Sequence, residues 1–528
     1  MSRQSLNAAF YRKSFIIPDG IDIADIKTVF CEKFHCAESP VHSLQRTFHD
    51  SFDWRIFDAG AAMEAESRAG GSTLNWRDLK SDAILGSASI EQAIRFSWNL
   101  PPGGLRERIE PLLEMRALLP LVRTRCKVHG LNVLNKDKKT VVRLAIEETR
   151  LAPTHKSRHN RLSSTLYVEP VKGYSEPFQQ VLSVIEQQFA LEPDKQGLAL
   201  RVFAAAGLQP GGYSSRLNLQ LTPDMRSDAA ARAIMLRLLE TMQANEPGLK
   251  TELDSEFLHD YRVAVRRSRS MLGQVKGVLP RAKQERFRRE FSWLGEITSP
   301  TRDMDVYLLD FHAFKNSLPA PLKEAIVPFH DFLEKHQKIE HRRLVKQLAS
   351  ARYRKLIADW HACLTSPLPR HSSLPNALRP AIDVANERIW RMFRRVISEG
   401  ESIQPDSPPE DLHELRKSCK KLRYLIEFFL SLYPRNHVKQ SIYALKSLQD
   451  QLGEYQDLHV QLASMATIRA QMIAEGVASE RMLVAFDLIM QTMDRRQEKV
   501  RKIFRTRFTA FADRKNRENF AKLFKPKL

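Results

Sequence analysis

A chain of 528 residues is longer than one hydrophobic core organises, so two or three domains are expected. Its 43% hydrophobic content excludes a disordered polymer, and no run approaches the ~18 apolar residues of a membrane-spanning helix. The net charge of +21 is uneven: from Arg226 onward there are 54 Lys+Arg against 37 Asp+Glu, and before it 29 against 25. That asymmetry points the C-terminal part at a polyanion: nucleic acid, an acidic membrane or polyphosphate.

Residues 1 to about 205 read as mixed α/β. Phe10–Ile17, Ser43–Phe48, Val122–His129, Val141–Glu147 and Thr165–Pro170 are short strand-like runs. Asn135-Lys136-Asp137-Lys138-Lys139 reads as a hairpin turn, and Tyr174–Phe189 as a helix. Gly70-Gly71-Ser72 and Pro101-Pro102-Gly103-Gly104 read as loops. Cys31, His35 and Cys36 lack a second ligand pair, so no metal is expected there. Five cysteines make no disulfide framework and suggest a reducing compartment. Met1-Ser2-Arg3-Gln4-Ser5 opens no long apolar run, so a signal peptide is not expected and a cytoplasmic location is.

Several of these pieces resemble the CYTH family of triphosphate tunnel enzymes: Arg46-Thr47-Phe48-His49-Asp50-Ser51-Phe52-Asp53-Trp54-Arg55, Arg123-Thr124-Arg125-Cys126-Lys127, Val141–Glu147 with Arg143 and Glu147 at lining positions, and Val168-Glu169-Pro170-Val171-Lys172-Gly173-Tyr174. The resemblance implies an antiparallel β-barrel or tunnel over roughly residues 10 to 205. It also marks departures. The family's metal-holding Glu-x-Glu-x-Lys strand falls at Asn7-Ala8-Ala9-Phe10-Tyr11-Arg12-Lys13, without paired acids. Its phosphate-gripping arginines fall at Ala62-Met63-Glu64-Ala65-Glu66, where acids would repel a triphosphate. A degenerate domain without catalytic residues, metal or cofactor is expected. Its alternatives are a metal site relocated to Glu64 and Glu66, and a metal-dependent inorganic triphosphatase.

Gly207–Asp228 holds the boundary: Pro210-Gly211-Gly212-Tyr213-Ser214-Ser215 has linker chemistry, and Thr222-Pro223-Asp224 precedes a new helix. The expected domains are 1–205, a linker at 206–225, and an all-α bundle at 226–528. Helical patterns follow at 229–244, ended by Asn245-Glu246-Pro247-Gly248, and then at 284–297, 303–315, 322–348, 351–363, 376–398, 437–452, 456–474 and 478–512.

Two stretches in this part repeat one another. Leu258-His259-Asp260-Tyr261-Arg262-Val263-Ala264-Val265-Arg266-Arg267-Ser268-Arg269 is matched by Leu412-His413-Glu414-Leu415-Arg416-Lys417-Ser418-Cys419-Lys420-Lys421-Leu422-Arg423. At about 100° per residue, His259, Arg262, Arg266 and Arg269 share an arc of about 80°, as do His413, Arg416, Lys420 and Arg423. Leu258, Val265 and Leu272, and Leu412, Leu415, Leu422 and Ile426, fall outside that arc, about 20–100° from its edge. Like charges three and four residues apart destabilise a helix. A face that repeats them in two places therefore asks for an anion. Asp260 and Glu414 point away from the histidines, so no metal-ligand set converges locally.

Two landmarks recur as well. Leu294-Gly295-Glu296 precedes Arg302-Asp303-Met304-Asp305-Val306, and Leu452-Gly453-Glu454 precedes Gln456-Asp457-Leu458-His459-Val460. Each repeat is expected to run helix, basic helix, a helix ending at Leu-Gly-Glu, and a helix opening near an Asp. Units at about 226–370 and 376–528 would form a pseudo-twofold bundle with both basic faces on one groove.

These stretches resemble the CHAD family, α-helical domains known as polyphosphate-binding modules. The resemblance implies that His259, Arg262, Arg266, Arg269, Arg288, His413, Arg416, Lys420, Arg423 and Lys446 line an anion path. By position Arg267, Lys421 and Arg302 join them. The expected partner is inorganic polyphosphate, with association to polyphosphate granules; oligomeric state is left open. A nucleic-acid-binding protein using the same groove is the other reading. Few aromatics besides Tyr424 and Tyr261 are available for base stacking.

Overall fold

The computed structural model describes residues 12–68, 71–153 and 161–526. It divides into an α+β unit up to Ser214 and a helical unit from Ser215. The expected linker therefore splits: Leu221 is already buried in the helical unit, its N–H donating to Ser431 Oγ at 3.0 Å.

In chain order the first unit holds β1 (Lys13–Ile17), α1 (Ile23–Lys33), β2 (His35–Glu38), β3 (His42–Asp50), α2 (Arg55–Asp58), β4 (Ala61–Arg68), β5 (Gly71–Asp78) and β6 (Ile84–Ile90). There follow α3 (Gly104–Leu113), β7 (Leu119–Leu134), β8 (Thr140–Leu151), β9 (Ser164–Pro170), α4 (Ser175–Val184), β10 (Glu192–Pro193) and α5 (Leu198–Ala205). The expected strands are present, with β2, β5, β6 and β10 added. Phe10, Tyr11, the Asn7–Tyr11 stretch and Gly70 lie outside the described residues; Gly71 and Ser72 belong to β5 rather than a loop. The Asn135 turn is made by Asn135 Oδ1 accepting from the N–H groups of Asp137 and Lys139.

The strands form one antiparallel sheet in the order β10-β1-β9-β8-β7-β3-β4-β5-β6, with β2 pairing β7. A flat sheet would hold β1 and β5, six strands apart, about 29 Å from each other. Yet Arg12, beside β1, meets Asp82, just after β5, at 3.2 Å. The sheet therefore curls around an inner face. Alternation along β7 puts Thr124, Cys126 and Val128 inside and Arg123, Arg125 and Lys127 outside, exposed. Further along the outer face, Leu131, Val133, Leu144 and Ile146 bury Phe30 of α1 and Phe178 of α4. Each such side chain contributes about 1.5–3 kcal/mol.

The second unit holds α6 (Ser227–Lys250), α7 (Ser255–Gln274), α8 (Arg281–Ser317), α9 (Ala320–Lys323), α10 (Val327–Leu348) and α11 (Ala351–Thr365). It continues through α12 (Ala381–Ser402), α13 (Pro409–Phe428), α14 (Arg435–Ala474), α15 (Glu480–Phe511) and α16 (Arg514–Phe524). α6 packs on α7, α7 on α8 and α8 on α10; α12 packs on α13, α13 on α14 and α14 on α15. The same succession of neighbours occurs twice, and α7 meets α13 between the halves. Tyr307 Oη donates to the Gln461 carbonyl at 3.3 Å, across a separation of 154 residues. The repeated basic motifs have that same offset, so two equivalent positions touch, as residues at a pseudo-twofold axis do.

Three expectations are corrected here. The predicted helices 284–297 and 303–315 are one helix, α8, and 437–452 and 456–474 are one helix, α14. An interior glycine costs only about 1 kcal/mol, which packing on both sides offsets. α8 also passes Pro300, where Thr298 and Ser299 hydroxyls donate to the Leu294 and Gly295 carbonyls at 2.7 and 2.9 Å. α6 likewise continues through Pro247, and Gly248 there admits Phe257: a Cβ would lie 2.3 Å from that ring. Finally, the C-terminal tail forms α16, whose Phe520 and Phe524 are buried.

Candidate anion-binding face

α7 starts at Asp254, whose carboxylate accepts from the N–H groups of Glu256 and Phe257. Pro409 opens α13, where its missing N–H is not needed. Leu258, Val265 and Leu272 are buried, as are Leu412, Leu415, Leu422 and Ile426, so the apolar stripes fall where the periodicity placed them. The basic side is not a solvated surface. His259, Arg262, Arg266, Arg267 and Arg302 are half-buried, as are His413, Arg416, Lys420, Lys421 and Arg423; Arg269, Arg288 and Lys446 are exposed.

The two helices bring their charges together. Burial first, then Arg416 and then Arg266 push the Lys420 ammonium down to about 8. Arg266 lies on α7 and Lys420 on α13, so the cationic faces confront each other. Burial and then Arg266 likewise lower Arg262 to about 10. Such crowding without a bound anion costs free energy. Among the described residues, the buried Nε atoms of Arg262, Arg266 and Arg416, Nη1 of Arg302 and Nδ1 of His413 have no protein hydrogen-bond partner.

The long helices hold these cations in place. Arg262 Nη1 donates to the Gly295 carbonyl at 3.3 Å, to Thr298 Oγ1 at 2.9 Å and to Ser299 Oγ at 3.1 Å. Arg269 Nη1 lies over Gly295, where a Cβ would sit 3.1 Å away; the glycine of the Leu-Gly-Glu landmark thus admits the guanidinium. Arg416 Nη2 meets Asp457 Oδ1 at 2.8 Å. At the equivalent place in the first repeat, Asp303 acts on Arg262 through its charge. The recurring aspartates therefore face the first arginine of each basic helix.

Arg267 and Arg423 are placed differently from the other cations. Glu427 accepts from Arg267 Nη2 at 2.7 Å and from Arg423 Nε at 2.7 Å, tying α7 to α13. Arg267 also donates to the Ser215 carbonyl and lies 5.9 Å from the Tyr424 ring. The sequence reading missed Glu427, Thr298 and Ser299. The signal available for Glu427 was its position four residues after Arg423; nothing local connects it to Arg267.

In the first unit, Glu64 and Glu66 do not stand as a bare acidic face. Arg46, 2% exposed, reaches Glu66 at 2.8 Å and Glu147 at 3.0 Å, while Arg77 holds Glu64 at 3.0 Å. Burial raises the Glu147 carboxyl, but Arg46 outweighs it and holds the group below the usual range. The expected repulsion is thus already neutralised inside the sheet. Glu147 lines this interior; Arg143, on the same strand face by register, is exposed and paired with Glu169 at 3.3 Å. Among the described residues no three His, Cys, Asp or Glu side chains are grouped to hold a metal ion. Nor is any described helix long and apolar enough to cross a membrane.

No curated protein matches the chain. Among solved structures it is similar to the CHAD domain from the plant Ricinus communis, at 25% identity and a TM-score of 0.46, covering 55% of this chain and 94% of that one. It is similar to PptA from Streptomyces chartreusis at 14% identity and a TM-score of 0.41, covering 54% and 100%. The Hippeastrum protein HpAC1, whose structure is described as revealing a dominant triphosphatase activity, is similar at 12% identity and a TM-score of 0.27, covering 39% and 100%. The CHAD domain model matches residues 233–466, the span of the paired basic helices and both Leu-Gly-Glu landmarks, and this part of the chain is a CHAD domain.

Proposed function

We propose that the helical unit binds inorganic polyphosphate through the facing cations of α7 and α13. One observation carries the reading: Lys420 is half-buried against Arg416 of its own helix and Arg266 of the neighbouring one, and is pushed down to about 8. A polyanion along this face relieves that crowding. Polyphosphate offers oxygens at every unit and no bases, so a row of arginine forks and lysine charges suffices to read it. In this assignment Arg262, Arg266, Arg416 and Lys420 are the central contacts. His259, His413, Arg269, Arg302 and Lys421 extend them, and Arg288 and Lys446 mark the exposed ends. Arg267 and Arg423 instead join the two helices through Glu427. Recruitment of the protein to polyphosphate granules follows from the same binding.

The test is a titration of the full chain with length-defined polyphosphate in competition with single-stranded DNA. Polyphosphate should displace the DNA, and DNA should fail to displace polyphosphate. The reverse order would assign the face to nucleic acid.

A further inference from the structure

The outer face of the first unit's sheet divides in two. One part is apolar and covered by α1 and α4. The other is uncovered by these helices and basic. Along β7, Arg123, Arg125 and Lys127 all point outward, with spacings of about 6.7 Å. Across the strands, Arg125 pairs in register with Arg150, and Arg150 bridges to Arg161, about 5 Å per step. Like charges directly opposite one another destabilise a sheet. Of the acids there, Glu148 is engaged by His129 at 2.9 Å, Arg161 at 3.7 Å and Lys127 at 4.0 Å, while Asp22, capping α1 by accepting from the Ala24 N–H, and Asp19 line the far wall of the second depression. Among the described residues this leaves Arg125 and Arg150 uncompensated.

This region is concave. Two adjoining depressions, of about 500 and 590 Å³, meet at Glu148. The first is lined by Arg125, Lys127 and Arg150, and the second is walled by the start of α1 and reaches His129 and Arg161. No Phe, Tyr or Trp lines either depression, so a nucleobase would find no ring to stack on beyond the His129 imidazole. Arginine forks clustered within about 10 Å suit oxygens that carry several charges on a short backbone.

We propose that this trough is a second anion site, taking a short inorganic phosphate chain on Arg125, Arg150 and Arg161, flanked by Arg123 and Lys127. It is independent of the α7–α13 face. The test is calorimetry of the full chain with tripolyphosphate. Wild type should show two classes of site. Arg125→Glu with Arg150→Glu should remove one class or weaken it at least tenfold, and the milder Arg125→Gln with Arg150→Gln should weaken it less. Both pairs are exposed, and an unchanged circular dichroism spectrum controls for folding. A chain carrying Arg262→Glu, Arg266→Glu, Arg416→Glu and Lys420→Glu should keep the trough's class. Loss of that class in this chain, or unchanged binding in both trough variants, overturns the proposal. So does equal binding of single-stranded DNA or an acidic peptide at the trough. If only the trough variants lose binding, the trough stands and the helical-face reading fails.

Discussion

Replacing Lys420 by Met should make the helical unit more stable and a poorer polyphosphate binder. The side chain is half-buried, and its ammonium is lowered from 10.5 to about 8 by burial, Arg416 and Arg266. At about 1.4 kcal/mol per pH unit, keeping it charged costs the folded state up to about 3 kcal/mol. Partial exposure and relaxation reduce this to about 1–2 kcal/mol. Methionine keeps the apolar stem and helix propensity and removes the charge. The sign can be followed with pH. The folded lysine loses its proton near pH 8 and the unfolded one near 10.5, so between these values the unfolded chain binds more protons and wild-type stability rises with pH. The advantage of Lys420→Met should therefore be full at pH 7 and fade between about pH 8 and 10.5. Thermal denaturation should show a gain of a few degrees at pH 7. Calorimetry should show polyphosphate affinity falling about tenfold to a hundredfold, the value of one charge-assisted contact. A destabilised variant with unchanged affinity would refute the reasoning, because Lys420 would then be a packing residue.

Wild-type affinity should itself fall as pH rises through 8, since Lys420 must take up a proton to bind; titration at pH 7 and 9 checks this. Affinity should also fall steeply with salt, with a log–log slope of about −3 if four central cations each release a counterion. In the first unit, Arg46→Met should destabilise by about 3–5 kcal/mol, read by denaturant unfolding, because it strips Glu66 and Glu147 of their partner inside the sheet. With Glu64, Glu66 and Glu147 engaged by arginines, the chain should release no phosphate from triphosphate above a no-protein control in Mg²⁺ or Mn²⁺. Turnover abolished by Glu64→Ala would restore the relocated metal site.

The basic helices were legible in the sequence because helical period gathers His259, Arg262, Arg266 and Arg269 into one arc, and repetition separates a site from a solvated face. The helix boundaries were not. Gly295, Pro300 and Gly453 carry the local signals of helix ends, but α8 and α14 run through them because neighbours on both sides supply the stabilisation. α16 went unseen for the complementary reason: its buried aromatic anchors, Phe520 and Phe524, gain their meaning from the helices they pack on. Long-range ion pairs were the other blind spot. Glu64 and Glu66 were visible as acids, but Arg77 and Arg46 become their partners only through strand register. Glu427 meets Arg267 across 160 residues, a pairing no local spacing encodes.

Polyphosphate binding of this kind requires α7 and α13 to form one anion face. The direct measurement is calorimetric titration of length-defined polyphosphate into two charge-reversed chains, Arg262→Glu with Arg266→Glu and Arg416→Glu with Lys420→Glu. An Arg514→Glu with Arg517→Glu chain on α16 serves as the control. Both helix variants should lose most of the binding that this face contributes while the control keeps it, with helical circular dichroism intact throughout. If either helix variant binds as wild type does, the two helices do not share a site. If the α16 control loses as much as they do, diffuse charge rather than a built face holds the polyanion.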